Sequence, residues 1–143
     1  MKSNEPIMIF KVTLDPADIT EMKTPLGAVS FLPFTAAVES DIFTGGTRPG
    51  AVDVQQENAA GIRNMCAKYI FEGVDKEGRA CRLFVENNAY FTPADDPGAV
   101  LPACPRFLTD SPILGEYLHQ PRFRSEVRPA PGGVEIWVFD VCL

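Results

Sequence analysis

Three side chains that can hold or move a proton stand out in this sequence: Asp53, Tyr69 and Asn87. Each lies in or beside a segment with the polar–apolar character of a β-strand. An aspartate can act as a general base, a tyrosine as an acid or hydrogen-bond donor, and an asparagine as a donor to an oxyanion. Such a set suits a proton transfer without a cofactor, such as an isomerisation or an elimination. The structural alternative is that Asp53 caps a Pro-Gly turn, Tyr69 belongs to the core and Asn87 closes a hairpin.

A predicted β-hairpin carries two of these residues. Residues 65–73 and 79–88 are strand-like, and a polar loop that ends in glycine separates them. If residues 74–78 form that loop, Tyr69 lies opposite Leu83. One face of the hairpin then collects the apolar side chains together with one amide: Ala67, Tyr69, Phe71, Cys81, Leu83, Val85 and Asn87. A shift by one residue would mix the two faces, so this separation favours the pairing.

The rest of the chain also favours strands. Further strands are predicted over residues 6–14, 28–38 (bent near Pro33), 51–56, 122–128 and 133–142. Glycine and proline predict a turn at 43–50, and four prolines predict a loop at 92–105. A short helix is predicted from Ser111-Pro112 to about His119, because serine caps helices and proline suits their first position. We therefore expect one mostly-β domain over residues 1–143, with seven to nine antiparallel strands in a barrel or a sandwich.

The charge balance argues against two classes of partner. The 143 residues carry 19 acidic and 13 basic side chains, a formal net charge of −6, and no cluster of Lys and Arg. Nucleic-acid binding and attachment to an anionic membrane both depend on clustered positive charge. The first apolar run, residues 7–10, is too short for a signal peptide or a membrane span. We therefore expect a cytoplasmic protein that binds neither nucleic acid nor membrane.

The residues that commonly bind metals are sparse. No pair of cysteines has Cys-x-x-Cys spacing, and Glu116 and His119 form one Glu-x-x-His motif where a di-iron bundle needs two. The four cysteines are interpreted as buried thiols of a reducing compartment: Cys66, Cys81, Cys104 and Cys142. No nucleophile elbow, phosphate-binding loop or zinc-protease motif occurs. We expect no metal, no cofactor and no disulfide, in a monomer or a homo-oligomer.

Several short motifs follow one another in a distinctive order: Pro33-Phe34-Thr35, Phe43-Thr44-Gly45, Pro49-Gly50-Ala51-Val52-Asp53, Ala67-Lys68-Tyr69, Phe84-Val85-Glu86-Asn87 and Pro131-Gly132-Gly133-Val134. From about residue 7 to residue 141, this order resembles a bacterial family, domain-of-unknown-function family 3237, also called uncharacterised protein family 0311. The chain departs from the family pattern at Ala51-Val52, where Gly-Ala is usual, and at Ala89, where a glycine is frequent. The resemblance implies a compact antiparallel β-barrel of roughly eight strands and no established activity.

The leading functional hypothesis is the binding of a small, largely apolar molecule inside such a barrel, with Asp53, Tyr69 and Asn87 as ligand-binding residues. One alternative is a cofactor-independent isomerase or lyase that uses the same three groups. Another is a structural or interaction module that acts through a strand edge or an aromatic face. An open cavity with inward polar groups would favour the first two hypotheses, and a filled interior with an apolar outer patch the third.

Overall fold

Antiparallel strands account for most of the chain in a computed structural model that describes residues 4–96 and 98–143. The strands are β1 (Met8–Thr13), β2 (Thr20–Thr24), β3 (Gly27–Pro33), β4 (Thr35–Glu39), β5 (Phe43–Thr47), β6 (Val52–Asn58), β7 (Arg63–Asp75), β8 (Ala80–Phe91), β9 (Leu101–Thr109), β10 (Phe123–Ala130) and β11 (Gly133–Asp140). A 3-10 turn (Pro16–Asp18) follows β1, and the helix α1 (Pro112–Leu118) follows β9.

Eight of these strands close a barrel in the order β1, β4, β5, β7, β8, β9, β10 and β11, with β11 paired back to β1. The long strand β7 pairs with β8 along one side, and with β6 and then β5 along the other. Strands β3 and β6 extend the β4–β5 hairpin, and β2 pairs with β3. The prediction of a mostly-β antiparallel barrel with one short helix is therefore confirmed.

The side chains predicted for the inner face of the β7–β8 hairpin do lie on that face, but the pairing of the two strands differs from the predicted register by two residues. Tyr69 lies opposite Val85, because β7 continues to Asp75. The Asp75 carboxylate accepts the backbone N–H groups of Glu77 and Arg79, at 3.0 and 3.1 Å, and closes a shorter turn. Side chains on a strand alternate with a period of two, so a shift of two residues leaves every side chain on its predicted face.

The turn predicted at residues 43–50 is present at Pro49-Gly50, where Gly50 has a positive φ, but residues 43–47 form strand β5 instead. Gly45 pairs with Gly73 between β5 and β7, and neither has a positive φ. A Cβ atom on Gly73 would lie 1.9 Å from the carbonyl oxygen of Thr44, and one on Gly45 would lie 2.6 Å from that of Glu72. Glycine is needed here because two backbones approach closely, not because the chain turns.

The loop predicted at residues 92–105 is present over residues 92–96 and 98–100, whereas Pro97 lies outside the described residues and residues 101–105 belong to β9. Pro102 lies in the part of β9 that pairs with β10, and Pro105 in the part that pairs with β8. Each proline therefore has a side of the strand without a partner, where a missing N–H breaks no ladder. Strand β2 was not predicted at all, because its side chains are exposed and do not alternate.

The helix α1 covers one end of the barrel. The predicted cap is confirmed: Ser111 Oγ accepts the N–H of Leu114 at 3.2 Å and donates to Asp75 Oδ2 at 2.7 Å, at the C-terminal end of β7. Leu114 and Leu118 of this helix are buried. Large buried side chains fill the interior at this end: Met8, Phe10, Phe43, Phe71 and Leu83.

The cysteines are free thiols, but the prediction that all four are buried is wrong. Cys81 is buried and Cys66 is half-buried, whereas Cys104 and Cys142 are exposed. Cys104 lies on the outer face of β9, and Cys142 follows the end of β11. Over the described residues, no helical segment has the length and apolar character that crossing a bilayer requires.

Candidate functional site

A cavity of about 470 Å³ occupies the end of the barrel away from α1. Strand β7 shows this arrangement, since its alternate residues Arg63, Met65, Ala67 and Tyr69 line the cavity while Asp75 binds the cap of α1. Six strands each contribute an apolar side chain to the wall: Val12, Leu32, Met65, Leu101, Val127 and Ile136. A volume of this size is ordinary for a small-molecule site.

Asp53, Tyr69 and Asn87 all line this one cavity. Asp53 on β6 and Asn87 on β8 both pair with Ala67 of β7, from opposite sides. Two strand spacings put the Asp53 and Asn87 backbones about 10 Å apart. Tyr69 lies two residues beyond Ala67 on the same face of β7. The barrel therefore brings the three predicted residues together around a small alanine.

One carboxylate oxygen of Asp53 has a hydrogen-bond partner, and the other has none among the described residues. Its Oδ2 atom accepts a hydrogen bond from Gln55 Nε2 at 2.8 Å. Its Oδ1 atom is buried and has no hydrogen-bond partner among the described residues. Burial raises the pKa of the Asp53 carboxyl above its ordinary value, against the opposing effects of the Gln55 hydrogen bond and the Arg63 charge. A carboxylate held in this way is a stronger base than one in water.

Gln55 and Arg63 belong to the same polar group and were missed in the sequence. Arg63 Nη1 donates to Gln55 Oε1 at 3.0 Å, and Arg63 Nε donates to Glu57 Oε1 at 3.3 Å. Both Gln55 and Arg63 line the cavity with Asp53. The alternation of Asp53, Gln55 and Glu57 along β6 is the signal that points to a shared face.

Tyr69 lines the cavity, and its hydroxyl is buried without a hydrogen-bond partner among the described residues. The residue is 4% exposed, and its oxygen makes no hydrogen bond within residues 4–96 and 98–143. Its ring packs edge-on against Phe10, Phe34 and Phe71, with centroids 6.1, 5.1 and 5.4 Å away. Burial, together with the nearby charge of Asp53, raises the pKa of the Tyr69 phenol. The phenol therefore keeps its proton and can donate it in a hydrogen bond.

The side-chain carbonyl of Asn87 accepts a hydrogen bond, whereas its amide N–H groups have no partner among the described residues. Ser125 Oγ donates to Asn87 Oδ1 at 2.8 Å, and both residues are buried. No hydrogen bond among the described residues uses the Asn87 amide nitrogen. Asn87 therefore lines the cavity as a residue with two N–H groups to offer.

The charged residues that line the cavity are mainly acidic. Arg63 is the one basic residue among the described lining residues, and its guanidinium already binds Glu57 and Gln55. Asp95 and Asp96 are exposed lining residues of the segment between β8 and β9. With Asp53 they make three carboxyl groups against one guanidinium, which disfavours an anionic ligand. Within residues 4–96 and 98–143, no group of three or more His, Cys, Asp or Glu is placed to hold a metal ion.

Comparisons with known proteins agree on the fold. No family model and no curated protein matches the chain. A protein of unknown function from Clostridium acetobutylicum is similar, with 20% identity, a TM-score of 0.77 and coverage of 99% of this chain and 97% of that one. A β-barrel-like protein from Acinetobacter baumannii has 18% identity and a TM-score of 0.71, over 95% and 93% of the two chains. A conserved protein of unknown function from Rhodopseudomonas palustris has 21% identity and a TM-score of 0.72, over 98% and 97%. The chain thus shares its small β-barrel fold, over nearly its whole length, with solved proteins from three bacteria.

Proposed function

We propose that this protein binds a small, largely apolar molecule in the barrel cavity, with Asp53, Tyr69 and Asn87 as the polar contacts. One observation carries the proposal: Asp53 Oδ1 and the Tyr69 hydroxyl are both buried without a partner among the described residues, on side chains that line the same cavity. Leaving such a group unpaired costs about 1–3 kcal/mol. A ligand that accepts from Tyr69 and donates to Asp53 would satisfy both groups at once.

The lining also defines what kind of molecule suits the cavity. Its walls are mostly apolar, so most of the ligand surface is hydrocarbon or aromatic. The excess of carboxyl groups over basic groups favours a neutral ligand over an anion. The polar part of the ligand is small, because the three polar contacts lie around the single residue Ala67.

The open interior supports binding over a purely structural or interaction role, for which we expected a filled barrel. Membership of domain-of-unknown-function family 3237 is part of the proposal, supported by motifs that contain all three polar contacts. A cytoplasmic location is also part of it. The exposed free thiols Cys104 and Cys142 suit a reducing compartment.

Titration with the neutral fluorophore N-phenyl-1-naphthylamine tests the proposal. Fluorescence should rise to saturation with the wild-type protein, because the dye leaves water for an apolar cavity. Ala67→Leu places extra volume between Asp53 and Asn87 and should weaken binding by about tenfold or more, or 1.4 kcal/mol. Ala37→Leu makes the same change at an exposed position of β4 and should not alter binding.

Two results would count against the proposal. One is a wild-type protein that does not bind the dye. The other is equal affinity in the Ala67→Leu and Ala37→Leu variants, which would place the dye outside the cavity.

A further inference from the structure

We propose that the cavity is an active site for neutral, largely apolar ketones, in which Asp53 removes a proton from the carbon next to the carbonyl and Tyr69 donates a hydrogen bond to the carbonyl oxygen. This inference rests on the cavity being the ligand site proposed above. It adds a reaction and a substrate class to that binding role. Asp53 Oδ1 and the Tyr69 hydroxyl, which have no hydrogen-bond partner within the described part of the chain, match the two needs of this reaction: a base and a hydrogen-bond donor.

Asp53 has the properties of the base. Gln55 holds Oδ2 at 2.8 Å, so the carboxylate is oriented and the second oxygen remains free to take a proton. Burial removes water that would otherwise stabilise the charged form, and the pKa of Asp53 is raised accordingly. Arg63 donates hydrogen bonds to Gln55 and Glu57. It therefore helps to hold Gln55, which orients the Asp53 carboxylate, without a hydrogen bond of its own to Oδ1.

Tyr69 has the properties of the donor that stabilises the developing negative charge. Its ring is fixed by edge-on contacts with Phe34 at 5.1 Å and Phe71 at 5.4 Å, so the hydroxyl is positioned before any ligand binds. A fixed donor in a site without bulk water stabilises an oxyanion more than a donor in solution does. Burial and the nearby charge of Asp53 raise the pKa of the Tyr69 phenol, so the phenol stays protonated.

Asn87 supplies further donors on the opposite side of Ala67 from Asp53. Its carbonyl is occupied by Ser125 at 2.8 Å, which leaves the amide N–H groups without a protein partner in the described residues. The backbones of Asp53 and Asn87 are about 10 Å apart. A bound ketone of one or two rings can therefore lie between the base and the amide.

The proposed step is balanced and redox-neutral. The C–H bond next to the carbonyl breaks, and its proton goes to Asp53 Oδ1. The electron pair of that bond forms the C=C bond of an enolate, and the carbonyl π electrons move to the oxygen that Tyr69 stabilises. Return of the proton to the same carbon regenerates the ketone, and return to a conjugated carbon gives an isomer. No oxidant, reductant or second substrate takes part.

Proton exchange in a simple apolar ketone tests the inference. The probe is 2-tetralone in deuterated buffer, with loss of its α-proton signals followed by NMR, and its binding measured by displacement of N-phenyl-1-naphthylamine. The wild-type protein should speed exchange above the buffer rate. Asp53→Asn should reduce the protein-dependent rate by about 100-fold or more. Tyr69→Phe should reduce it by about 100-fold, as loss of one oxyanion donor does.

Matched controls separate chemistry from general damage. Asp41→Asn and Tyr90→Phe make the same changes at exposed positions and should exchange at the wild-type rate. The Asp53→Asn and Tyr69→Phe variants should keep the far-UV circular dichroism spectrum of the wild type and unfold cooperatively in urea, which shows that the barrel is intact.

Each other outcome has a definite meaning. A ketone that displaces the dye but exchanges only at the buffer rate overturns the inference and leaves the binding function standing. A ketone that neither displaces the dye nor exchanges also overturns it, because the cavity then rejects carbonyl compounds. If the wild-type and Asp53→Asn proteins exchange the α-protons of the ketone at equal rates, Asp53 is not the base and the inference is overturned. Failure of the dye itself to bind contradicts the binding function instead.

Discussion

Phe34 packs edge-on against Tyr69, with ring centroids 5.1 Å apart and ring planes at 77°. Phe34 lies at the predicted bend near Pro33, between β3 and β4, and its N–H bonds to the carbonyl of Ala51 at 3.1 Å. Both rings line the cavity. The bend in the wall therefore helps to fix the ring of Tyr69, which carries the buried hydroxyl.

The first prediction concerns that hydroxyl in the ligand-free protein. Tyr69→Phe keeps the ring contacts and removes a buried oxygen that has no partner in residues 4–96 and 98–143. We expect the free energy of unfolding to stay unchanged or to rise by about 1 kcal/mol, because an unsatisfied polar group is lost. Urea unfolding measures this, with exposed Tyr90→Phe as the control. A loss of stability of more than about 1 kcal/mol would mean that the hydroxyl has a structural partner.

The second prediction is a pH dependence that comes from Asp53. Its pKa is raised in the folded protein, chiefly by burial, so the folded state holds the proton more tightly than the unfolded state does. Stability therefore falls as the pH rises from the ordinary aspartate pKa of about 3.9 through the folded value, and the loss persists at higher pH.

Asp53→Asn removes that penalty. The variant should be more stable than wild type at neutral pH, and this gain should vanish below about pH 3.9. Denaturant midpoints across a pH series measure the difference. Asp41→Asn makes the same substitution at an exposed position and serves as the control. A stability gain of Asp53→Asn over wild type that increases as the pH falls would contradict the raised pKa of Asp53.

The third prediction concerns a polar network at the end of β11. Asp140 is 3% exposed; it accepts a hydrogen bond from Tyr117 at 2.5 Å and one from Arg122 Nε at 3.0 Å. Burial alone would raise the pKa of Asp140, but these hydrogen bonds together hold it below the ordinary value. Its stabilising contribution is complete above the ordinary carboxyl pKa and is lost as the pH falls through the lower folded value.

Asp140→Asn should cost about 2 kcal/mol of unfolding free energy at neutral pH, because charged hydrogen bonds are lost in a buried place. The difference from wild type should shrink at acid pH. Glu72→Gln breaks the exposed ion pair with Arg82 and should cost about 0.5 kcal/mol or less. Similar losses from the two substitutions would show that burial does not strengthen the Asp140 network.

The fourth prediction separates two neighbouring glycines of β5. A Cβ on Gly45 would lie 2.6 Å from the carbonyl oxygen of Glu72, whereas one on Gly46 would lie 3.8 Å from that of Ala36. Gly45→Ala should therefore cost about 3 kcal/mol, because backbone must move, and Gly46→Ala about 0.5 kcal/mol or less. Thermal or urea unfolding of the pair measures the gap. Equal effects would mean that β5 and β7 do not approach closely at this point.

Local patterns alone determined several parts of this protein. The alternation in the β7–β8 hairpin identified its inner face, including Tyr69 and Asn87, because strand side chains point to opposite sides in turn. Ser111 and Pro112 identified the start of α1, because capping involves only neighbouring residues. The bend near Pro33 was predicted for the same local reason.

Only the tertiary structure decided where glycine and proline belong to strands. Gly45 is a strand residue because Gly73 lies opposite it, and Pro105 is one because β9 has a partner on one side only at that point. Neither partner is adjacent in sequence, so local preference indicated a turn and a loop instead. The two-residue register difference has a similar origin, since Asp75 closes the turn through its side chain.

The candidate site divides in the same way. The chemical types of Asp53, Tyr69 and Asn87 and their positions on strands are properties of the sequence. Their convergence depends on the pairing of β6 and β8 with opposite sides of β7, at the small residue Ala67. The unpartnered state of Asp53 Oδ1 and the Tyr69 hydroxyl depends on every other polar group near them. Hydrogen-bond satisfaction and empty volume are sums over residues that are distant in the chain, so only the closed barrel determines them.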